Sequence, residues 1–108
     1  MAKNTLSVAV VQAAPVLFDR EATVDKACGL IAGAAEKGAQ LILFPEAFVP
    51  AYPRGLTFGT VVGSRTPEGR NTWHAYWDSA VEVPGPATDT LGKTARRVGA
   101  YVAIGVIE

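Results

Sequence analysis

Residues 41–46 read Leu-Ile-Leu-Phe-Pro-Glu, and this short run decides the fold class. Four consecutive large apolar residues are typical of a strand that is buried on both faces, as in a parallel sheet under helices. Pro45 ends the strand, because proline has no amide hydrogen to donate to a central ladder. Glu46 therefore stands just past the carboxyl end of a predicted strand, where open α/β sheets gather reactive groups.

The residues before this run predict a strand and a helix. Residues 6–12 (LSVAVVQ) are nearly all apolar and predict another buried strand. Asp19 stands at the N-cap position of a helical stretch, and Lys37 with Gly38 supplies a typical helix end. Strand, helix and strand within about 40 residues make a βαβ unit, which implies a parallel pair with a right-handed crossover.

The residues after the run extend the same architecture. Residues 49–71 are predicted to form a long loop, and residues 72–80 a short helix. Pro86 opens a further helix that ends at Gly99, and residues 101–107 predict the third strand. The order β-α-β-loop-α-β belongs to the α/β class.

Composition excludes several classes of function. The chain of 108 residues carries 10 basic and 10 acidic residues, whereas nucleic-acid-binding domains usually have a clear basic excess. A single cysteine excludes an intrachain disulfide framework and a multi-thiolate metal site. The longest apolar run, residues 98–107, is shorter than the ~20 residues of a membrane span. We therefore expect a cytoplasmic protein without metal, cofactor, membrane or nucleic-acid partner.

Glu46 is the candidate for chemistry. Its neighbours Phe44, Phe48 and Tyr52, together with nearby prolines, predict a carboxylate that is poorly hydrated. Such a carboxylate binds protons more tightly than a solvated one, which suits a general base at neutral pH. The alternative is a solvated turn residue with no chemical role.

Five segments resemble the nitrilases, within the carbon–nitrogen hydrolase superfamily. The most specific is the active-site corner FPEAFVPAYPRG, whose PAYPRG continuation favours the nitrilase branch over the amidase branches. The similar segments are residues 8–16 (VAVVQAAPV), 36–48 (EKGAQLILFPEAF), 44–55 (FPEAFVPAYPRG), 74–92 (HAYWDSAVEVPGPATDTLG) and 101–108 (YVAIGVIE).

The resemblance implies a fold and an assembly. Members of this family form an α-β-β-α sandwich and associate into dimers and larger spirals. Residues 1–108 would then be the incomplete N-terminal portion of a single carbon–nitrogen hydrolase domain. We expect such a portion to be found with the remaining polypeptide of the enzyme, or self-associated through apolar surface, in a homo-oligomer.

The resemblance also implies a reaction, the hydrolysis of an organic nitrile to a carboxylic acid and ammonia. The family uses a Glu, a Lys and a Cys, and Glu46 matches the Glu, which acts as general base. Tyr52 matches a position that lines the substrate pocket. The Lys and the Cys of the family lie in later segments, so this chain alone is expected to be inactive. Cys28 lies on the apolar face of the first helix, where a free cysteine is typically a small buried hydrophobe.

Lys3, Lys26, Lys37 and Lys93 have no matching context and are expected on the surface. His74 is predicted to be structural, and the cluster of Trp73, Tyr76 and Trp77 to belong to the core or a subunit contact. Two alternatives remain at this point. One is an aliphatic amidase of the same superfamily. The other is a non-catalytic α/β module that binds a partner or a small carbonyl compound.

Overall fold

The structure, a computed structural model, describes residues 4–61 and 64–108. Lys3 lies outside the described residues. The elements in chain order are β1 (Val8–Val10), α1 (Arg20–Glu36), β2 (Leu41–Leu43), β3 (Thr60–Val61), β4 (Ser64–Arg65), α2 (Pro67–Asp78), α3 (Pro86–Val98) and β5 (Tyr101–Ala103). None of the helices in these ranges is both long and apolar enough to cross a bilayer.

Helix α1 begins and ends where the sequence predicts. The carboxylate of Asp19 accepts a hydrogen bond of 3.0 Å from the backbone amide of Ala22, which satisfies one of the free amides at the helix start. Lys37 caps the other end, and Gly38 follows with a φ of +91°, the left-handed conformation that glycine adopts without a steric penalty.

Three strands form a parallel sheet in the order β1-β2-β5. Ile42 pairs with Ala9 on one side and with Val102 on the other. The βαβ prediction is confirmed, since β1, α1 and β2 form one parallel crossover. Each strand has three residues and is shorter than the apolar run that predicted it.

One face of this sheet is covered by α1 and α3. Ile42 on that face is fully buried against a core that includes Ile31 of α1 and Leu91 of α3. We call the opposite side the open sheet face, and its residues are Val8, Val10, Leu41, Leu43, Tyr101 and Ala103. Val10 is 71% exposed and Tyr101 82% exposed. The described residues therefore cover the strands on one face only, and burial on the second face stays a prediction for the whole protein.

Helix α2 begins earlier than predicted. It starts at Pro67 instead of residue 72 and ends at Asp78, and the short antiparallel pair of β3 and β4 precedes it. The hydroxyl of Thr66 accepts a hydrogen bond of 3.3 Å from the amide of Gly69, and Pro67 occupies the first turn. The prediction of a loop over 49–71 is therefore wrong in its second half. Thr66-Pro67-Glu68 is a helix-start pattern that could have revealed this boundary.

Helix α3 confirms its predicted bounds. Pro86 lies in its first turn, and the hydroxyl of Thr88 accepts a 3.0 Å hydrogen bond from the amide of Gly85. Gly99 ends the helix with a φ of +71°. The polypeptide then passes directly into β5. The amide of Tyr101, at the start of β5, donates to the carbonyl of Gln40 beside β2.

Candidate active site

Glu46 lies in the connection that leaves the carboxyl end of the central strand β2. We call residues 44–50 the Glu46 corner. Backbone hydrogen bonds tie both ends of this corner to the last residue of β5 and to the chain that follows it. The amide of Phe44 donates to the carbonyl of Ala103 at 2.9 Å, and that of Val49 donates to the carbonyl of Gly105 at 3.3 Å. The backbone of Glu46 is thus fixed by main-chain contacts on both sides.

Gly105 allows the two segments to approach closely. A Cβ atom at this position would overlap the amide nitrogen of Ala47 and lie 3.2 Å from the carbonyl carbon of Glu46. Any side chain here would push against the corner itself. Gly105 is a site-shaping residue that the sequence reasoning missed. A glycine inside a strand-like run was the available signal, because it often marks a close approach of another backbone.

The side chains of the corner differ in exposure around Ala47, which has a φ of +50°. Phe44 and Phe48 are buried in the core, where their rings contact each other edge to face at a centroid distance of 5.2 Å. Glu46, two residues from each of them, is exposed. The expectation that these aromatic rings remove water from the carboxylate is wrong for this chain, because the rings are buried while Glu46 stays exposed to solvent. No hydrogen bond or ion pair within residues 4–61 and 64–108 involves the Glu46 carboxylate.

Tyr52 lies a few residues further along the same connection, in the loop of residues 51–59. Its side chain is 56% exposed, and its carbonyl accepts a hydrogen bond of 2.8 Å from the amide of Arg54. Pro50, joined to Val49 by a cis peptide bond, precedes the loop and is buried. Glu46 and Tyr52 therefore leave the sheet on one segment, although no hydrogen bond among the described residues joins them.

Cys28 lies on the helix-covered side of the sheet. It is half-buried between α1 and α3, and its sulfur accepts a hydrogen bond of 3.2 Å from the hydroxyl of Thr94. The lysines that the structure describes lie on the surface of the protein. The ammonium group of Lys26 donates to the carbonyl of Ala14 at 2.6 Å, and Lys37 and Lys93 are exposed.

Some side chains of α2 pack into an aromatic cluster, and others are exposed to solvent. His74 is exposed and pairs with Asp78, one turn further on, at 3.1 Å. Tyr76 is buried and Trp73 is half exposed, while Trp77 is 68% exposed. The expected place in the core is therefore wrong for Trp77, while a role of this cluster in a subunit contact stays a prediction. Among the described residues, no group of three or more His, Cys, Asp or Glu side chains could hold a metal ion.

The structure also has a groove of about 430 Å³ on its helical side, away from the Glu46 corner. It lies between α1 and the start of α3, and its lining includes Arg20, Glu21, Glu82 and Pro86. Neither Glu46 nor Tyr52 contributes to it. At the Glu46 corner, by contrast, the structure presents an exposed carboxylate on a backbone that is fixed at both ends, and a carboxylate can accept a proton.

Comparison with known proteins places this corner in a family. The profile of the carbon-nitrogen hydrolases matches residues 7–108. Over 104 residues the chain is 48% identical to the bifunctional nitrilase/nitrile hydratase NIT4B of Nicotiana tabacum, covering 96% of the chain and 30% of that relative. It is 50% identical to an aliphatic nitrilase of Sinorhizobium fredii (strain HH103) over 100 residues, covering 93% of the chain and 32% of the relative.

Nitrilase 1 of Arabidopsis thaliana is 46% identical over 105 residues, which cover 97% of the chain and 30% of that protein. The chain thus spans about a third of the length of the curated relatives it matches. The family profile covers nearly all of the described structure, including β1, β2, β5 and the Glu46 corner. The chain belongs to the carbon-nitrogen hydrolase family.

Proposed function

We propose that this chain is the N-terminal part of an enzyme that hydrolyses an organic nitrile to a carboxylic acid and ammonia. The observation that carries the proposal is the similarity of nearly the whole chain, at 44–50% identity, to relatives that are named nitrilases. The position of Glu46 past the end of the central strand supports it, because reactive groups gather at that edge of a parallel sheet.

In this proposal Glu46 is the general base. It takes the proton of a cysteine thiol, and the thiolate adds to the nitrile carbon to form a thioimidate after the nitrogen is protonated. One water adds to that carbon, and ammonia leaves. A second water, deprotonated by Glu46, then releases the carboxylic acid and restores the thiol. Two waters are consumed for each nitrile, so the atoms balance.

The nucleophilic cysteine and a lysine that stabilises developing negative charge come from polypeptide beyond Glu108 in this proposal. Cys28 is unsuited to the nucleophile's role, because it lies between two helices on the far side of the sheet from the proposed site. The chain alone is therefore proposed to be inactive. The exposure of Glu46 is consistent with a cavity whose remaining walls belong to that further polypeptide.

The open sheet face is proposed to be the inner surface of the α-β-β-α sandwich that the family resemblance implies. Its exposed side chains are Val8, Val10, Leu43 and Tyr101, which present apolar area on the side opposite the helices. A second sheet packs about 10 Å from the first and would bury them. The helices then form the outer layer, and the whole protein is proposed to be a homo-oligomer.

The open face can be tested with the 108-residue chain alone. We expect it to self-associate, and Val10→Lys to shift the population toward monomer by placing a charge on that face. Sedimentation velocity measures both, with Leu17→Lys as the control, since Leu17 is also an exposed apolar residue but lies in the segment before α1. A monodisperse, cooperatively unfolding monomer of 11.3 kDa would contradict the proposal.

A second outcome of the same chemistry is formation of an amide. Several of the similar relatives are named bifunctional nitrilase/nitrile hydratase. The tetrahedral intermediate formed by the first water can expel the cysteine sulfur instead of ammonia, which releases an amide. An amidase would instead start from the amide and form the acid.

The deciding experiment assays the full-length protein with a nitrile and, separately, with the matching amide. We expect ammonia and carboxylic acid in equal amounts from the nitrile, and little turnover of the amide. Release of amide from the nitrile would identify the hydratase branch. Turnover of the amide alone would overturn the proposal in favour of an amidase, and turnover of neither would favour a non-catalytic module.

A further inference from the structure

The backbone of α2 packs directly on the loop that carries Tyr52. A Cβ atom at Gly69, in the first turn of α2, would overlap the carbonyl oxygen of Phe58 and the amide nitrogen of Gly59. Gly59 has no room for a side chain either, since a Cβ at Gly59 would lie 2.7 Å from the Cα of Gly69. Two glycines thus let the end of the loop and the start of the helix touch through their main chains.

Aromatic side chains reinforce this contact. The ring of Phe58 stacks on Tyr76 at a centroid distance of 5.7 Å and an angle of 29°, and meets Trp73 edge to face at 5.6 Å. Tyr76 also contacts Phe18, at 5.4 Å, which joins the cluster to the segment before α1. Phe58 has a φ of +54°, so the end of the loop is held in a sterically restricted conformation by its neighbours.

The far end of α2 is also anchored. The guanidinium of Arg20, the first residue of α1, donates to the carbonyls of Asp78 at 3.0 Å and Ala80 at 2.7 Å. These are carbonyls at the end of α2, where no helical amide remains to bond them. The helix is therefore attached to the loop at its start and to α1 at its end, which makes it a fixed support.

Tyr76 also senses the charge of the loop. Burial raises the pKa of the Tyr76 phenol, and charge repulsion from Tyr52 raises it further. This repulsion adds to the contact that α2 makes with the loop through Phe58 and Gly59.

We propose that α2 positions Tyr52 at the rim of the active site, and that Gly69 and Tyr76 are the positioning residues through which it does so. This inference rests on the proposed nitrilase function, because Tyr52 is the proposed pocket residue. The loop and α2 then form one unit, and the placement of that unit sets which nitrile side chains are accepted. Catalysis at Glu46 is independent of it, because the Glu46 corner is held by the chain after β5.

The test uses Gly69→Ala in the full-length protein, with Gly92→Ala as its matched control. Gly92 lies in α3 with no atom within 4 Å of a Cβ placed there, so alanine adds no contact. For Gly69→Ala we expect KM for a bulky aryl nitrile to rise about fivefold or more while kcat changes less than about twofold, the pattern of lost substrate binding. The ratio of kcat/KM between aryl and small aliphatic nitriles should change by a similar factor. Gly92→Ala should leave all of these values unchanged.

Tyr76→Phe provides a second variant in case Gly69→Ala fails to fold. It keeps the ring and its stacking and removes only the hydroxyl, whose ionisation is opposed by Tyr52, so we expect a smaller change in the same selectivity ratio. Unchanged selectivity and KM in folded Gly69→Ala and Tyr76→Phe proteins would overturn the inference. Equal loss of kcat on every nitrile would also overturn it, because that pattern indicates general damage to the site.

A readout without substrate separates this inference from the proposed function. Absorbance titration at high pH follows tyrosine ionisation, and the difference between the parent protein and Tyr76→Phe isolates Tyr76. We expect Tyr76 to ionise at lower pH in Tyr52→Phe, where the repulsion is gone, and in Gly69→Ala, where the loop is displaced. If both shifts occur in a protein that hydrolyses no nitrile, the structural coupling holds and the function fails. If neither occurs, the coupling itself is wrong.

Discussion

The Glu46 corner and the loop of residues 51–59 follow one another in the chain but are held in different ways. The corner is fixed by backbone hydrogen bonds to residues 103–107 and by the absence of a side chain at Gly105. The loop is held at its far end, by the ring contacts of Phe58 and by the backbone fit of Phe58 and Gly59 against Gly69. The corner thus has main-chain support at both ends, whereas the loop has it at one end and depends on aromatic side chains as well. The comparison teaches that the placement of the proposed pocket wall changes with side-chain substitutions more readily than the placement of the proposed base.

The largest effect is expected from Glu46→Gln in the full-length protein. Glutamine has nearly the same shape but cannot accept the thiol proton, so we expect kcat to fall about 10²–10⁴-fold with an unchanged melting temperature. Steady-state kinetics and thermal unfolding measure the two quantities. Cys28→Ala is the control, and it should retain activity because the Cys28 sulfur lies between α1 and α3, where it accepts a hydrogen bond from Thr94. Retained activity in Glu46→Gln refutes the base assignment, and a large loss in Cys28→Ala means that the nucleophile has been misplaced.

The next effect is expected from Gly105→Ala, which tests the support of the corner. The new methyl group would meet the backbone at Ala47 and Glu46, which cannot move without breaking the hydrogen bonds of Phe44 and Val49. We expect a loss of about 1–3 kcal/mol in the free energy of unfolding, as for other overpacked sites, together with a reduced kcat.

Chemical denaturation of the full-length protein measures this stability change, and Gly92→Ala again serves as the control. An exposed helical glycine replaced by alanine gains up to about 1 kcal/mol, so the two variants should move in opposite directions. Equal stability and kcat in Gly105→Ala and the parent protein would show that the corner is not supported in this way.

The smallest effect on stability is expected from Tyr52→Ala, which probes the loop. Tyr52 is 56% exposed, so its removal should change the free energy of unfolding by about 0.5 kcal/mol or less. We expect a higher KM or a lower kcat for nitriles nonetheless, because the side chain lines the proposed pocket. A lower melting temperature with unchanged kinetics would remove Tyr52 from the pocket.

Much of the fold could be predicted because its signals are local. The N-cap at Asp19, the left-handed glycine at Gly99 and the apolar run at 41–44 each specify an element within a few residues. The parallel sheet follows from the lengths of the connections. The signal for the start of α2, at Thr66 and Pro67, is equally local. It lies in a segment rich in glycine and proline, and that composition favours the prediction of a loop.

The surroundings of Glu46 could not be predicted in this way. Aromatic neighbours in the sequence predict a poorly hydrated carboxylate, but beside the left-handed residue Ala47 the chain buries Phe48 and leaves Glu46 exposed. The contact between Gly105 and the corner joins residues about sixty positions apart, and only the register of β2 with β5 brings them together. The position of the candidate site can thus be predicted from the sequence, whereas the hydration of the Glu46 carboxylate depends on the tertiary structure.

The central place of β2 has a consequence for how the molecule fluctuates. In the three-stranded sheet that the structure describes, β2 is the strand with a neighbour on each side. Its amides are released to exchange with solvent only when most of the sheet opens, whereas a surface loop exchanges through small local openings. Hydrogen exchange should therefore be slower at residues 42–44 than at residues 52–56, where the backbone bonds are confined to local turns. A substrate could then be admitted by brief excursions of the loop while the carboxylate beside the sheet keeps its place.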